Sequence, residues 1–361
     1  MIGSDDSDRI VDQIRATVDR QGAVTLLGQG TKHAVFRNLQ PEGGSALSAA
    51  EHTGILAYVP DELMIEARSG TRLREIEQAL AERHQRLAFE PPRFGSGGTL
   101  GGAVATGLAG PARPWAGAPR DALLGVELVN GAAERLRFGG RVVKNVAGYD
   151  VTRLQAGAFG TLGCLLSIAL RVMPEPQHTQ TMNCSLEEHA VGEQLHQWHL
   201  AGVPMAGTCW HAEQLYIRLS GPKSAVRAAA ERLHNDRGAR ETLSGELWTN
   251  LRDRRHEFFL DPPFGTDLYR ASLPFGAPPL GVDAPLLVEW RGAQRWYWLR
   301  PDQVALAEYA ATAVGGWLQA ATEPPLAAGA QPGAARIQQR LRDAFDPGRC
   351  LNPHLDARDA D

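Results

Sequence analysis

Lysine is almost missing from this chain: Lys32, Lys144 and Lys223 are the only three, and arginine carries the rest of the positive charge. Acidic and basic residues nearly balance, with a formal net charge of -4, so no field exists to gather nucleic acid or an anionic membrane surface. The four cysteines, Cys164, Cys184, Cys209 and Cys350, show no C-x-x-C spacing, which argues against a zinc site, an iron–sulfur cluster or a disulfide framework within the chain. Such a set fits a reducing, cytoplasmic compartment. The opening "MIGSDDSDRI" is acidic where an export signal would be basic and then apolar, so no export is expected. Long apolar runs are absent too. The uncharged stretch from Phe94 to Ala112 approaches membrane-spanning length, but its seven glycines and Pro111 leave only Phe94, Leu100, Val104 and Leu108 as bulky apolar groups.

That stretch, "GSGGTLGGAVATGLAGP" at its centre, is the densest feature of the sequence. A flexible linker would be polar and repetitive, whereas here small and apolar residues mix throughout. The better reading is a packed, irregular segment whose glycines reach positive φ, approach a ligand closely and converge backbone N–H groups on an anion such as a pyrophosphate.

A chain of 361 residues is too long for one ordinary core, so two domains are expected. Ile10, Val11, Ile14 and Val18 share one face of an opening helix. "AVTLLGQGTKH" reads as a buried strand entering a glycine turn. "ELMIEARSG" alternates as a strand, and "TRLREIEQALAERHQ" follows as a helix with Thr71 at its N-cap and Leu73, Ile76 and Leu80 at helical spacing. "ALLGVELVNG" and "RLRFGG" suggest a hairpin turning at Asn130-Gly131, and the alternation of Leu162, Cys164, Leu166, Ile168, Leu170 and Val172 predicts a strand ending at Pro174. The fold class is therefore α+β: a first domain over residues 1–175, an α+β cap over 176–325 containing strands at "LYIRLSG" and "PLLVEWRGAQRWYWLR" and a helix at "SAVRAAAERLHN", and a C-terminal segment, 326–361, whose helix returns to the first domain.

"LGQG" lacks the third glycine of a nicotinamide-dinucleotide fingerprint, since Lys32 and His33 follow, so a Rossmann turn is not supported. The concatenation is more informative than any one piece. Gly28-Gln29-Gly30-Thr31, then "EPPRFGSGGTLGGAVATGLAGP", "RDALLGVELVNG", "KNVAGYD" and "FGTLGCLLSIALRVMP" together resemble the vanillyl-alcohol-oxidase, PCMH-type FAD-binding superfamily. Within it, "GPARPWAGAPRDALLGV" and "FGGRVVKNVAGYDVTRLQAGAFGTLG" resemble the FAD-binding subunits of bacterial glycolate oxidases. The resemblance implies a two-lobed FAD-binding domain followed by a cap with an antiparallel sheet. It places Gly28, Gln29, Gly30, Thr31 and Lys32 in the first pyrophosphate loop and Thr99, Leu100, Gly101, Gly102 and Thr106 along the cofactor. Gly160, Leu162, Gly163 and Ile168 fall at the adenine and ribose end, and Asn352 of "RCLNPH" approaches the flavin, although His354 stands where glycine is usual. Thr31 occupies the place of the histidine found in relatives with covalently bound flavin, which implies non-covalent FAD.

The implied activity is oxidation of a small 2-hydroxy acid, glycolate to glyoxylate, within a complex containing a larger FAD-linked subunit and an iron–sulfur subunit. That complex is expected to be cytoplasmic, meeting the inner membrane only through partners. Related 2-hydroxy-acid dehydrogenases carry a C-terminal His-x-Gly-Asp-Gly-Asn-x-His type motif, which is missing here, so the companion flavoprotein is expected to take the substrate hydride. The alternatives are a stand-alone dehydrogenase using arginines of the cap, or a scaffold subunit without turnover. Lys144 is the candidate for a catalytic cation near the flavin, and a solvent-exposed hairpin lysine is the competing reading. Tyr149 reads as packing and Asp150 as the cap of the helix at "VTRLQAG". "VEWRGAQRWYWLR" is either core sheet or the wall of a binding site. His196 and His199 sit at i,i+3 without a third ligand, so they read as a solvated helix face and no metal is expected.

Overall fold

The computed structural model describes residues 3–36, 39, 45–141, 150–243, 245–324 and 332–355. The chain divides into two compact units, the first made of residues 1–109, 117–174 and 323–361 and the second of 110–116 and 175–322. Helix and antiparallel sheet mix in both, giving the α+β class.

In the first unit helix α1 (Ser7–Asp19) buries Ile10 and Ile14, while Val18 stays exposed. Strands β1 (Val24–Leu27) and β2 (Ser45–Ser48) form a parallel pair. Strands β3 (Ile55–Val59), β4 (Met64–Arg68), β6 (Leu123–Val129), β7 (Arg135–Gly139) and β8 (Cys164–Arg171) form an antiparallel sheet in the order β3-β4-β8-β6-β7, and β5 (Gln85–Arg86) pairs with β9 (Met173–Pro174). Helices α2 (Leu73–Ala81) and α3 (Leu100–Thr106) cover one face through Leu73, Ile76, Leu80, Leu100 and Val104, which pack with Ile168 and Leu170. The central strand β8 is buried on both faces: Cys164 and Leu166 join the α1 cluster, and Ile168, Leu170 and Val172 join the α2/α3 core. The expected single-faced alternation is corrected accordingly. The β6–β8 pairing shifts register between Glu127 and Leu128, and a central strand has no solvent face to alternate with.

Two local readings change for identifiable reasons. Thr71 is not the cap of α2; Arg72 holds that position, and the Thr71 hydroxyl instead accepts from the Gly54 N–H at 2.9 Å and faces the Gly54 carbonyl at 3.3 Å. The β6–β7 connection is not a two-residue Asn-Gly turn. Asn130 N–H donates to the Glu134 carbonyl at 3.1 Å, the Asn130 side chain accepts from Ala132 and Glu134 N–H, and the positive φ falls on Ala133. The short helices α4 (Arg113–Ala116), α5 (Pro119–Ala122) and α6 (Val151–Leu154) complete this region; α4 belongs to the second unit, and Asp150 caps α6 as expected by accepting from Arg153 N–H at 3.4 Å.

The second unit is an eight-stranded antiparallel sheet in the order β13-β10-β12-β11-β15-β16-β14-β17. Its strands are β10 (His178–Ser185), β11 (Met205–His211), β12 (Gln214–Gly221), β13 (Arg240–Glu241), β14 (Asp267–Ser272), β15 (Leu286–Glu289), β16 (Gln294–Leu299) and β17 (Trp317–Ala320). Helices α7 (Glu188–Leu200), α8 (Lys223–Arg237) and α11 (Pro301–Ala313) cover one face with Leu195, Trp198, Val226, Leu233 and Ala307. The other face carries Cys209, Leu287 and Trp296, against which α9 (Leu247–Arg252) and α10 (Glu257–Leu260) pack Leu251 and Phe258. "VEWRGAQRWYWLR" is thus core sheet, β15 and β16, with Tyr297 on the helix side and Trp296 on the opposite side. His196 and His199 are exposed on α7, and no cluster of metal-ligating side chains occurs among the described residues.

Helix α12 (Pro332–Phe345) leads the chain back to β1, where Leu351 bridges Val24 in parallel. Asp346 makes this return possible. Fully buried, its carboxylate accepts from the N–H groups of Cys350 at 3.0 Å and Leu351 at 2.9 Å. A Cβ on Gly131 would lie 2.1 Å from the Asp346 Oδ1, so the β6–β7 loop can close over the carboxylate only with glycine there.

Asp346→Ala leaves two buried N–H donors unsatisfied and is expected to cost about 3 kcal/mol in urea unfolding, with the β1 end exchanging its amides first. Burial pushes the Cys164 thiol from 9.0 up to about 12, and burial together with the Asp346 charge does the same for Cys350. The folded state holds these protons more tightly than the unfolded chain. Stability is therefore complete below about pH 9 and declines as pH rises towards 12. Alkaline unfolding monitored by circular dichroism is expected to coincide with the first reaction of these thiols with a disulfide reagent.

Candidate functional site

Strand β1 delivers the chain into Gly28-Gln29-Gly30, and Gly30, at φ 70°, turns it into the short 3-10 helix Thr31–Ala34. The second glycine segment arrives from Gly97, and Thr99 starts α3 by accepting from the Gly102 N–H at 3.2 Å. These two segments touch. A Cβ on Gly28 would lie 2.5 Å from Thr99 Oγ1, and one on Gly97 would lie 3.2 Å from Thr31 Cγ2 and 3.3 Å from Gln29 Cβ. A Cβ on Gly102 would come within 3.2 Å of Thr99 Oγ1 and 3.8 Å of Lys32 Nζ.

A third segment joins them. Gly160, at φ 74°, packs so that a Cβ would meet Asn352 Nδ2 at 2.9 Å and Leu26 Cδ1 at 3.2 Å. Asn352, itself at φ 46°, is fully engaged in positioning: its Oδ1 accepts from the Leu26 N–H at 2.7 Å and its Nδ2 donates to the Phe159 carbonyl at 2.6 Å. Arg342 in turn donates to the carbonyls of Leu351 at 2.8 Å and Asn352 at 3.3 Å.

The three segments wall an open cleft in the first unit. Of the residues expected at a cofactor, Gly28, Gln29, Gly30, Thr31, Lys32, Thr99, Gly101, Gly102, Thr106, Gly160, Gly163 and Asn352 line it. Leu100 and Ile168 lie instead in the α2/α3 core, and Leu162 is buried without lining the cleft. Lys144, with Asn145 and Tyr149, lies outside the described residues. The structure also brings Ser69, His33, Phe159, Cys164 and His354 to the lining. No local pattern marks Ser69: it follows β4 and reaches the cleft because Gly101, whose Cβ would lie 2.8 Å from Ser69 Cβ, permits α3 to pack on it.

The lining suits an anionic group. Lys32 is only 7% exposed, with its ammonium 5.8 Å from the Phe94 ring centroid, and no carboxylate occurs among the described lining residues. Glycine backbones leave their N–H groups unscreened by side chains. Two polar atoms of the lining, Ser69 Oγ and His354 Nε2, are buried without a hydrogen-bond partner among the described residues. Buried polar groups are normally satisfied, so both fit a bound ligand that carries donors and acceptors. Burial, reinforced by the Arg342 charge, lowers the His354 pKa, so its imidazole is neutral near pH 7 and one ring nitrogen can accept. Cys164, its thiol held up near 12, contributes bulk to the wall and no nucleophile.

Comparison with known proteins agrees with this arrangement. Residues 4–139 match a family model described as an FAD binding domain. The glycolate oxidase subunit GlcE of Escherichia coli is 36% identical over 349 residues, covering 97% of this chain and 97% of that protein. The glycolate oxidase subunit GlcD of Bacillus subtilis is 30% identical over 143 residues, which span 39% of this chain and only 30% of that relative. Among solved structures, an alkyldihydroxyacetonephosphate synthase superposes with a TM-score of 0.71 over 96% of this chain and 75% of its own, at 15% identity, a likeness of fold alone. The chain belongs to the family of the glycolate oxidase subunit GlcE, and its first unit is built on an FAD-binding domain of the two-lobed, PCMH type.

Proposed function

We propose that this chain is the FAD-binding subunit of a glycolate oxidase, working beside a larger FAD-linked subunit and an iron–sulfur subunit. The observation that carries the reading is the contact between the Gly28–Lys32 turn and the Gly97–Gly102 segment, in a chain that resembles GlcE over nearly its whole length. Bound in the cleft, FAD would supply electron transfer, relaying electrons that the companion flavoprotein takes as glycolate becomes glyoxylate.

The residues divide that task. Gly28 and Gly30 would hold the diphosphate by backbone N–H groups, Gly101 and Gly102, whose own N–H groups donate to the Ser69 carbonyl at 2.7 Å and to Thr99 Oγ1 at 3.2 Å, would let α3 come close to it, and Lys32 would supply the countercharge from a position where little solvent screens it. Gln29, Thr31, Thr99 and Thr106 add hydroxyl and amide groups, while Gly160 and Gly163 let the wall approach closely. Asn352 fixes the spacing of β1 and the Phe159 loop. Ser69 Oγ and His354 Nε2 gain the partners they lack among the described residues. The cofactor is held non-covalently, consistent with Thr31 in the first turn and an inert thiol at Cys164. No described helix is long and apolar enough to cross a membrane.

Gly28→Val drives a side chain into Thr99 and parts the two turns; it is expected to weaken FAD binding by about 10- to 100-fold while leaving the fold intact, measured by flavin fluorescence and circular dichroism. Co-expressed with its partner subunits, the wild-type chain is expected to support glycolate-dependent dye reduction and the Gly28→Val chain to support little. A complex that turned over at the full rate without this chain would contradict the reading.

A further inference from the structure

The sheet of the second unit holds two half-buried arginines, Arg254 and Arg270, that make no ion pair among the described residues. Arg270 on β14 stands directly opposite Trp296 on β16 and Gln319 on β17, so all three share the face away from α7, α8 and α11. Arg254 lays its guanidinium over the Trp296 ring, 4.6 Å from the centroid, and on the α4 segment Arg113 stacks likewise over Trp290 at 4.6 Å. Arg270 donates to the Gln319 Oε1 at 3.2 Å, but its Nε is enclosed and meets no acceptor among the described residues. The Arg254 guanidinium donates to the Ala321 carbonyl at 3.4 Å and to no other described acceptor. Neither makes an ion pair among the described residues.

The electrostatics bear the marks of this imbalance. Burial first, and then the charge of Arg270, bring the Arg254 pKa down to about 9; burial and then the charge of Arg113 bring Arg270 down to about 10. Glu289 is the carboxylate that favours the charged Arg254, and it already accepts from Trp296 Nε1 at 2.8 Å and Gln294 Nε2 at 3.1 Å. A charge partly withdrawn from water is held best by a partner of opposite charge. Two neighbouring guanidiniums without an ion pair among the described residues, one of them stacked on the Trp296 face, suit an anion that arrives from outside.

We propose that Arg254 and Arg270, with Gln319 beside them, form a binding site for the carboxylate of a small 2-hydroxy or 2-oxo acid. The planar fork of a guanidinium matches a carboxylate in bidentate fashion, and the Trp296 face holds that plane in place. The Gln319 amide lies where it can meet a further oxygen of a short acid. The choice of 2-hydroxy and 2-oxo acids among carboxylates rests on the function proposed above; the demand for an anion rests on the arginines alone.

The full-length chain as purified is titrated with sodium glycolate, sodium glyoxylate and inorganic phosphate at constant ionic strength, with binding followed by tryptophan fluorescence and calorimetry and the flavin spectrum recorded on the same sample. Saturable 1:1 binding of glycolate or glyoxylate is expected, weakened at least tenfold in both Arg254→Met and Arg270→Met. Ligand-free Arg270→Met is expected to melt at or above the wild-type temperature, because it removes a repulsion; a merely structural arginine would lower it. Absence of saturable binding by either acid, phosphate binding as tightly as both, unchanged affinity in both variants, or collapse of the ligand-free Arg270→Met fold would each overturn the proposal. A protein that holds FAD yet binds no acid refutes this site alone, whereas a protein without FAD refutes the cofactor reading.

Discussion

Gly28 meets Thr99 where a methyl group would lie 2.5 Å from the threonine oxygen, and the organisation of the first unit follows from that contact. Ordinary side chains at Gly28, Gly97 and Gly102 would hold the two turns apart by their own volume. Without them the backbones approach, and the wall they present is made of peptide groups, small hydroxyls and one ammonium. Thr99 does double duty: its hydroxyl caps α3 through Gly102 N–H while its side chain seats against Gly28. A diphosphate needs such a surface, because its charge is spread over several oxygens and is met best by several fixed dipoles and a cation.

The turns keep their place because the end of the chain holds the strand that feeds the first of them. β1 belongs to only a two-stranded parallel pair, a weak element by itself. Leu351 extends it by a bridge, Asn352, 326 residues from Leu26 along the chain, ties Leu26 to Phe159, and Asp346 and Arg342 satisfy the backbone of the returning segment. Each of these polar side chains is buried and makes hydrogen bonds to main-chain atoms, so the return is a specific fit and not a general hydrophobic contact.

The sequence showed the glycine turns plainly, because Gly28, Gly30, Gly101 and Gly102 interrupt apolar segments where neither helix nor strand periodicity explains them. It showed less of what depends on distance along the chain. Ser69 and His354 reach the cleft through contacts that no spacing announces, and the positioning role of Asn352 requires knowing that Leu26 and Phe159 lie to either side of it. Leu100 and Ile168 sit beside residues that line the cleft yet face the opposite way, since adjacent positions on a helix or strand cannot all point to one side. Thr71 looked like a helix cap by position alone; a competing hydrogen bond to Gly54 claimed its hydroxyl. The arginines of the second unit entered the sequence reading only as the substrate contacts of an alternative dehydrogenase; that Arg254 and Arg270 make no ion pair among the described residues is a fact of packing.

Hydrogen exchange at the two glycine segments, followed by mass spectrometry as FAD is added to the cofactor-free chain, tests the central claim most directly. The account predicts that peptides covering Gly28–Lys32 and Gly97–Gly102 become protected together, over the same range of FAD concentration. Protection of one segment without the other, or of neither while FAD binds, would contradict it.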